Sequence, residues 1–361
     1  MQRQSHQLER GDAAPWFEGA ALSGAADYKF DTVAGRHVLM LFFPSAAAKS
    51  VSQALALIAS NRAIFNDREA CFFGITCDPA DAELGRIARE LPGIRFFLDY
   101  DRRISAIHGL VHGSEVEPKW VVLDAALRVL GTFPINQGEQ AIALLRSELA
   151  RQSPDLWAPV LAVPNVFPEE LCQRLIRKYD DDGGHPSGFM REVEGKTVCV
   201  VDPDHKQRRD WDIDDEALRA EIASQIKRHL TVPIQRSFQF FPTRIERYVV
   251  ACYDAGAGHF RPHRDNTTGG TAHRKFAVTI NLNTGEFEGG DLRFPEFGGR
   301  TYRATTGGAI VFSCSLLHEA TPVTKGRRFA FLPFLYDEEA ARQREINNPR
   351  LGENVPRYTK S

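Results

Sequence analysis

The chain has 361 residues, with 45 lysines and arginines against 47 aspartates and glutamates, and 43% of it is hydrophobic. A net charge of −2 gives no electrostatic footprint for nucleic acid or an anionic membrane. The length is generous for one domain and comfortable for two, no apolar run reaches membrane-span length, and six scattered cysteines suit a reducing compartment. The opening MQRQSHQLERGD lacks the apolar core of a secretory signal, so a cytoplasmic protein is expected.

Strand-like apolar runs at His37–Phe43, Cys71–Thr76, Arg95–Leu98 and Trp120–Leu123 alternate with helical stretches at Ser50–Asn66, Ala80–Glu90 and Gly138–Arg151. That alternation predicts an α/β unit with a parallel component over residues 1–151. Within it GDAAPWFEG, HVLMLFFP, FFGITCD, FFLDYDRRISAIHGL and WVVLD make residues 11–135 resemble the peroxiredoxin branch of the thioredoxin fold. In that family a threonine and the peroxidatic cysteine follow the proline of the first strand-to-helix turn by four and seven positions. Here Ala48 and Val51 stand at those spacings from Pro44. Peroxidation needs a thiolate at a helix N-terminus, which neither residue supplies, and no Cys-x-x-Cys exists for disulfide exchange. Cys71 and Cys77 read as small buried hydrophobes. The domain is therefore expected to serve another purpose, such as docking a protein substrate, dimerising or packing on the second domain.

Residues 152–160 (QSPDLWAPV) read as a linker, and a second domain is expected over 161–338, followed by a polar tail over 339–361. Phe167-Pro-Glu-Glu-Leu opens an amphipathic helix. A further helix over Asp214–Leu230 places Leu218, Ile222 and Ile226 on one buried face. Beyond these come short β segments punctuated by glycine: Arg274–Asn283, Asp291–Phe294 and Ala309–Ser313, as in an antiparallel barrel or jelly roll.

The chemistry is concentrated between Tyr253 and Asp337. His263 and Asp265 are two apart in an extended segment, so their side chains point the same way, roughly 6–7 Å apart. His318 follows downstream. Two imidazoles and one carboxylate make the facial triad of a non-haem Fe(II) centre, with open positions for cosubstrate and dioxygen. Arg328 shares a strand face with Ala330 and Leu332, and an arginine there can clamp a carboxylate bidentately; Arg327 faces the other way.

The stretches VACYDAGAGHFRPHRDN (250–266), LN followed by GGDLRF (282–294) and LHEATPVTKGRRFAFLPFLYD (317–337) make residues from about 160 to 337 resemble the prolyl 4-hydroxylase-type 2-oxoglutarate- and Fe(II)-dependent dioxygenases. The resemblance implies a double-stranded β-helix with His263, Asp265 and His318 on iron and Arg328 on the distal carboxylate of 2-oxoglutarate. It puts Tyr253 and Asn281 against the cosubstrate and makes ascorbate an expected reductant. It also implies hydroxylation with release of succinate and CO2, since halogenating relatives lack the carboxylate that Asp265 supplies. The substrate would be a prolyl residue, an amino acid or a small metabolite. His259 and His273 flank the site and read as loop residues rather than ligands. The stretch Asp181–Asp212, with Arg191, Arg208, Arg209 and Trp211, is either a substrate-covering segment, as in relatives, or a solvated loop. The competing functional reading is a non-catalytic interaction protein that uses the thioredoxin-like domain.

Overall fold

The computed structural model describes residues 7–22, 28–151 and 156–359. The first six residues and 152–155 of the expected linker lie outside the described residues. The chain divides into two compact units, Met1–Leu156 with Pro295–Gly298, and Trp157–Phe294 with Gly299–Ser361. No helix among the described residues is long and apolar enough to cross a membrane.

The first unit is built on a five-stranded sheet in the order Ile94–Leu98, Ala70–Thr76, His37–Phe43, Lys119–Leu123, Val129–Pro134. The first three strands run parallel and the last two antiparallel. His37–Phe43 and Ala70–Thr76 are almost continuously apolar because both of their faces are covered. On one face Val51, Ala54 and Ile58 of helix Lys49–Ser60 and Ala141, Ile142 and Leu145 of helix Gly138–Ala150 pack on Leu39, Leu41, Phe43 and Trp120. On the other, Phe17 and Phe30 stack at 4.7 Å, and Phe73 and Phe97 at 5.2 Å.

The helix expected over Ala80–Glu90 is cut to Pro79–Glu83. Its Asp81 turns inward, accepting from Thr76 Oγ1 at 2.6 Å and Ala46 N at 2.8 Å. Gly85 then takes a left-handed conformation, φ 63°, that ends the turn. Val51 is fully buried in the first turn of its helix, and Ala48, at the cap, offers no side-chain hydrogen bond. Burial pushes the Cys71 thiol up to about 12 and the Cys77 thiol up to about 11, so both stay protonated.

Among the described residues the second unit carries two small two-stranded sheets and two large antiparallel ones. The larger runs Leu161–Val163, Ala309–Ser313, Phe276–Asn281, Arg327–Phe331, Val249–Asp254, Arg209–Asp212, His185–Pro186. The smaller runs Lys206–Gln207, His259–His263, His318–Ala320, Leu292–Arg293, Thr301–Tyr302. Alternation along the strands divides their side chains between two cores. Val250, Cys252, Phe329 and Phe331 point outward to helices Glu169–Asp182 and Glu216–Phe238, meeting Leu175, Tyr179, Ile222 and Leu230. Ala251, Tyr253, Ala330 and Leu332 point inward and cluster with Ala320 and Phe260 of the smaller sheet.

Two expectations change here. The stretch Asp181–Asp212 is not a solvated loop: it forms five short strands, three of which join the two large sheets while Phe189–Val193 and Lys196–Val200 pair with each other, and Arg208 and Asp210 are buried. Beyond 338 the short helix forms as its sequence suggests, but the described residues after it are held against the domain rather than loose. Helix Glu338–Ile346 buries Ala340 and Ala341 beside Tyr336, and Asn347 Nδ2 donates to Gly269 O at 2.7 Å.

Candidate metal centre

His263 and His318 are register partners on adjacent strands of the smaller sheet, so their rings leave the same face, 4.3 Å apart between centroids. Asp265 lies just past the first strand, its N–H donating to Cys314 O at 3.0 Å. Its carboxylate reaches both rings, with Oδ1 3.6 Å from His263 Nε2 and Oδ2 3.3 Å from His318 Nε2. One ligand atom from each residue falls within 4.8 Å of the other two. Ligands held about 2.1 Å from one ion must lie about 3 Å from each other when they are adjacent, so these groups are close to a shared coordination sphere.

Both imidazoles are oriented by their own backbone. His263 Nδ1 lies 2.7 Å from Arg261 O and His318 Nδ1 lies 3.0 Å from Leu316 O. These contacts fit Nδ1–H donors and leave each Nε2 lone pair for a ligand. Aromatic walls complete the setting: Phe260 stacks on His263 at 3.4 Å, and Phe312 meets His318 edge-on at 4.6 Å. Burial, and then the neighbouring His318, bring the His263 pKa down to about 4, which keeps the imidazole neutral. Burial alone would raise Asp265, but His318 and His263 hold it well below the usual carboxylate range. A neutral His263 imidazole beside the ionised Asp265 carboxylate suits a divalent cation.

Arg328 faces the same interior from the larger sheet, opposite Tyr253 in register. It is 2% exposed, and among the described residues no carboxylate pairs with it. Its guanidinium lies 5.0 Å from the Tyr253 ring and donates to Asn281 Oδ1 at 3.3 Å. Asn281 is anchored in turn by its own donation to Ala304 O at 3.1 Å. Arg327 points away and pairs with Asp180 at 3.0 Å. A buried guanidinium without a protein counter-ion fits an anionic cosubstrate, as the open donor set of the triad fits a metal.

The two flanking histidines differ from one another. His259 sits at the rim, its Nδ1 2.7 Å from Ala257 O. His273 does lie in a turn, before strand Phe276–Asn281, but is buried there, its Nε2 2.7 Å from Glu246 in a group shared with Arg274.

Sequence reasoning missed the polar wall beside the site. Arg208 makes a two-pronged ion pair with Asp210, 2.6 Å on each arm, and donates to Tyr253 OH at 3.2 Å. Burial alone would raise Asp210, but the Arg208 and Lys206 charges and hydrogen bonds from Arg208 and Ser187 together hold it at about 2. Lys206 donates to Ser187 Oγ at 2.6 Å and lies 4.9 Å from the Phe260 ring. The signal was present: Lys206, Arg208 and Asp210 alternate with period two, as one face of a strand does.

Residues 248–336 match the model of the 2OG-Fe(II) oxygenase superfamily. A PKHD-type hydroxylase of Shewanella oneidensis is 25% identical over 201 residues, covering 51% of this chain and 82% of the relative. One from Azoarcus sp. (strain BH72) is 29% identical over 183 residues, covering 47% and 74%. Among solved structures, a Pseudomonas putida prolyl-4-hydroxylase is similar at TM-score 0.38 and 18% identity, covering 50% of this chain and 93% of that one. The peroxidoxin BcpB of Mycobacterium tuberculosis is similar at TM-score 0.33 and 20% identity, covering 40% and 100%. The chain carries a 2OG-Fe(II) oxygenase domain. It is a 2-oxoglutarate-dependent hydroxylase, and Fe(II) and 2-oxoglutarate follow from that superfamily.

Proposed function

We propose that the second unit is a double-stranded β-helix in which His263, Asp265 and His318 hold Fe(II) and Arg328 receives the distal carboxylate of 2-oxoglutarate. The observation that carries this reading is the pairing of the triad with a buried, carboxylate-free Arg328 on one interior. When bound, the iron and cosubstrate supply dioxygen activation, with 2-oxoglutarate leaving as succinate and CO2 and a hydroxyl group placed on the substrate; ascorbate serves as reductant. The protein's own groups do the positioning. Arg261 and Leu316 carbonyls fix the imidazoles, Asn281 steadies the Arg328 fork, and Tyr253 presents its ring to that guanidinium. The inward-facing Ala251, Ala330 and Leu332 limit water around the centre.

The substrate is a prolyl residue of a protein, a free amino acid or a small metabolite. The first unit is a peroxiredoxin-type domain without its peroxidatic cysteine, kept for docking or dimerisation. A core valine where the thiolate would stand supports that reading.

Anaerobic titration with Fe(II) and 2-oxoglutarate tests the proposal. The wild type develops the weak visible charge-transfer band of the ferrous chelate, and Arg328→Ala and His318→Ala do not. A wild type that binds iron but shows no band sinks it.

A further inference from the structure

The interior of the second unit holds more positive charge than it balances. Arg208 has Asp210, and Arg274 has Glu246 at 2.8 Å. In the reading proposed above, Arg328 is matched by the cosubstrate. Lys206 meets the neutral acceptors Ser187 Oγ and Gly188 O, and burial, with Arg208 nearby, pulls its pKa well down. Arg247 is left over. No carboxylate among the described residues pairs with it, and its one hydrogen bond runs from Nη2 to Leu332 O at 3.2 Å. Its Nε is enclosed without a partner, although the residue as a whole keeps partial exposure. A guanidinium cannot relieve this by losing a proton.

Its position is equally specific. Arg247 sits at φ 67°, in the left-handed region that a non-glycine residue enters only when its surroundings hold it there. It falls between strands Arg244–Glu246 and Val249–Asp254. The guanidinium lies 4.4 Å from the Phe334 ring, and that of Arg274 lies 4.1 Å from the same ring. Arg274 Nη1 donates to the Asp265 carbonyl at 3.2 Å. Phe334 and Arg274 thus connect Arg247 to the backbone of Asp265, a residue of the triad.

We propose that Arg247 is the receptor for a carboxylate on the substrate, so that the enzyme takes acidic substrates: an amino acid through its own carboxylate, or a peptide through a carboxylate close to the hydroxylated residue. This rests on the iron and 2-oxoglutarate reading, since the charge left over is counted with Arg328 already matched.

The test uses the full chain loaded anaerobically with Fe(II) and 2-oxoglutarate. The chelate band reports the state of the first reading, and thermal unfolding is followed during titration with acetate or acetamide at constant ionic strength. In the wild type acetate raises the unfolding midpoint and acetamide does not. Arg247→Met, which removes an unmatched charge and keeps the stem, unfolds no earlier than the wild type without acetate, retains the chelate band and loses the acetate response. Arg247→Lys keeps part of it. Equal effects of acetate and acetamide, an unchanged response in Arg247→Met, or a large drop in its midpoint would each overturn the proposal and make Arg247 a structural residue. Loss of the band in the wild type would instead count against the iron and cosubstrate reading. With substrates in hand, the same variant raises KM for a carboxylate at least tenfold more than for its amide, and leaves the 2-oxoglutarate KM within twofold.

Discussion

The two units bury polar groups in opposite ways. In the first, the interior carboxylates are satisfied by other side chains or the backbone: Asp81 takes donations from Thr76 and Ala46, and Asp99 caps its turn through Ile104 N, Ser105 N and Ser105 Oγ at 2.7–2.8 Å. His108 is held through Nδ1 by Ile104 O at 2.7 Å and wedged against Phe42, its Nε2 buried without a partner but uncharged. In the second unit the interior keeps Arg328 and Arg247 without carboxylate partners, and the Nε2 atoms of His263 and His318 converge on one carboxylate. Buried charge that the protein leaves unmatched is costly, so it persists where a ligand completes it. By that measure the first unit is finished as it stands, and the second is built to be filled.

The sharpest way to break the contrast is to remove a ligand of the triad. His263→Ala or His318→Ala should take 2-oxoglutarate consumption to background while the far-ultraviolet dichroism stays unchanged, and a chelator should do the same to the wild type. Arg328→Ala comes next. Losing one side of a buried ion pair costs about 2–5 kcal/mol, so 2-oxoglutarate affinity should fall by roughly two orders of magnitude, measured by the chelate band.

The first unit can be probed through His108, whose pKa burial lowers from 6.5 to about 4. A depressed histidine contributes stability that is present above its unfolded pKa and lost as pH falls below it. The unit should therefore lose about 2 kcal/mol between neutrality and about pH 5, and His108→Leu should flatten that dependence in urea unfolding. Val51→Ala should cost about 1–3 kcal/mol of stability and leave cosubstrate affinity of the folded protein unchanged, since the position is core packing. Asn281→Ala is the mildest change: losing one hydrogen bond to a charged group costs about 1.5 kcal/mol, near a tenfold rise in the 2-oxoglutarate dissociation constant.

What could be read from the chain beforehand was whatever depended on local spacing. The closeness of His263 and Asp265 was legible from their spacing, although Asp265 sits in the turn just past strand His259–His263 rather than in an extended segment. Strand phase set Arg328 apart from Arg327, and the structure has the first buried and the second paired with Asp180. Strand His37–Phe43 was legible to the residue because its apolar run is unbroken. The illegible parts depend on partners distant in sequence. The helix after Asp78 stops short because Asp81 is claimed by Thr76 and Ala46. His273 is buried because Glu246 and Arg274 come to it across the fold. The strands between His185 and Asp212 are polar enough to look like a loop, and it is pairing with one another and with Val249–Asp254 and His259–His263 that makes them sheet.

The register pairing of His263 with His318 carries one more consequence. A slip of one residue between those strands would turn one imidazole to the opposite face and dissolve the centre. Iron would then act as a staple across a hairpin whose connection is long, favouring the aligned pairing over every shifted one by the free energy of binding. Loading and correct strand alignment would become a single event, and protease resistance of the segment between the histidines would rise with metal concentration along the same curve as occupancy.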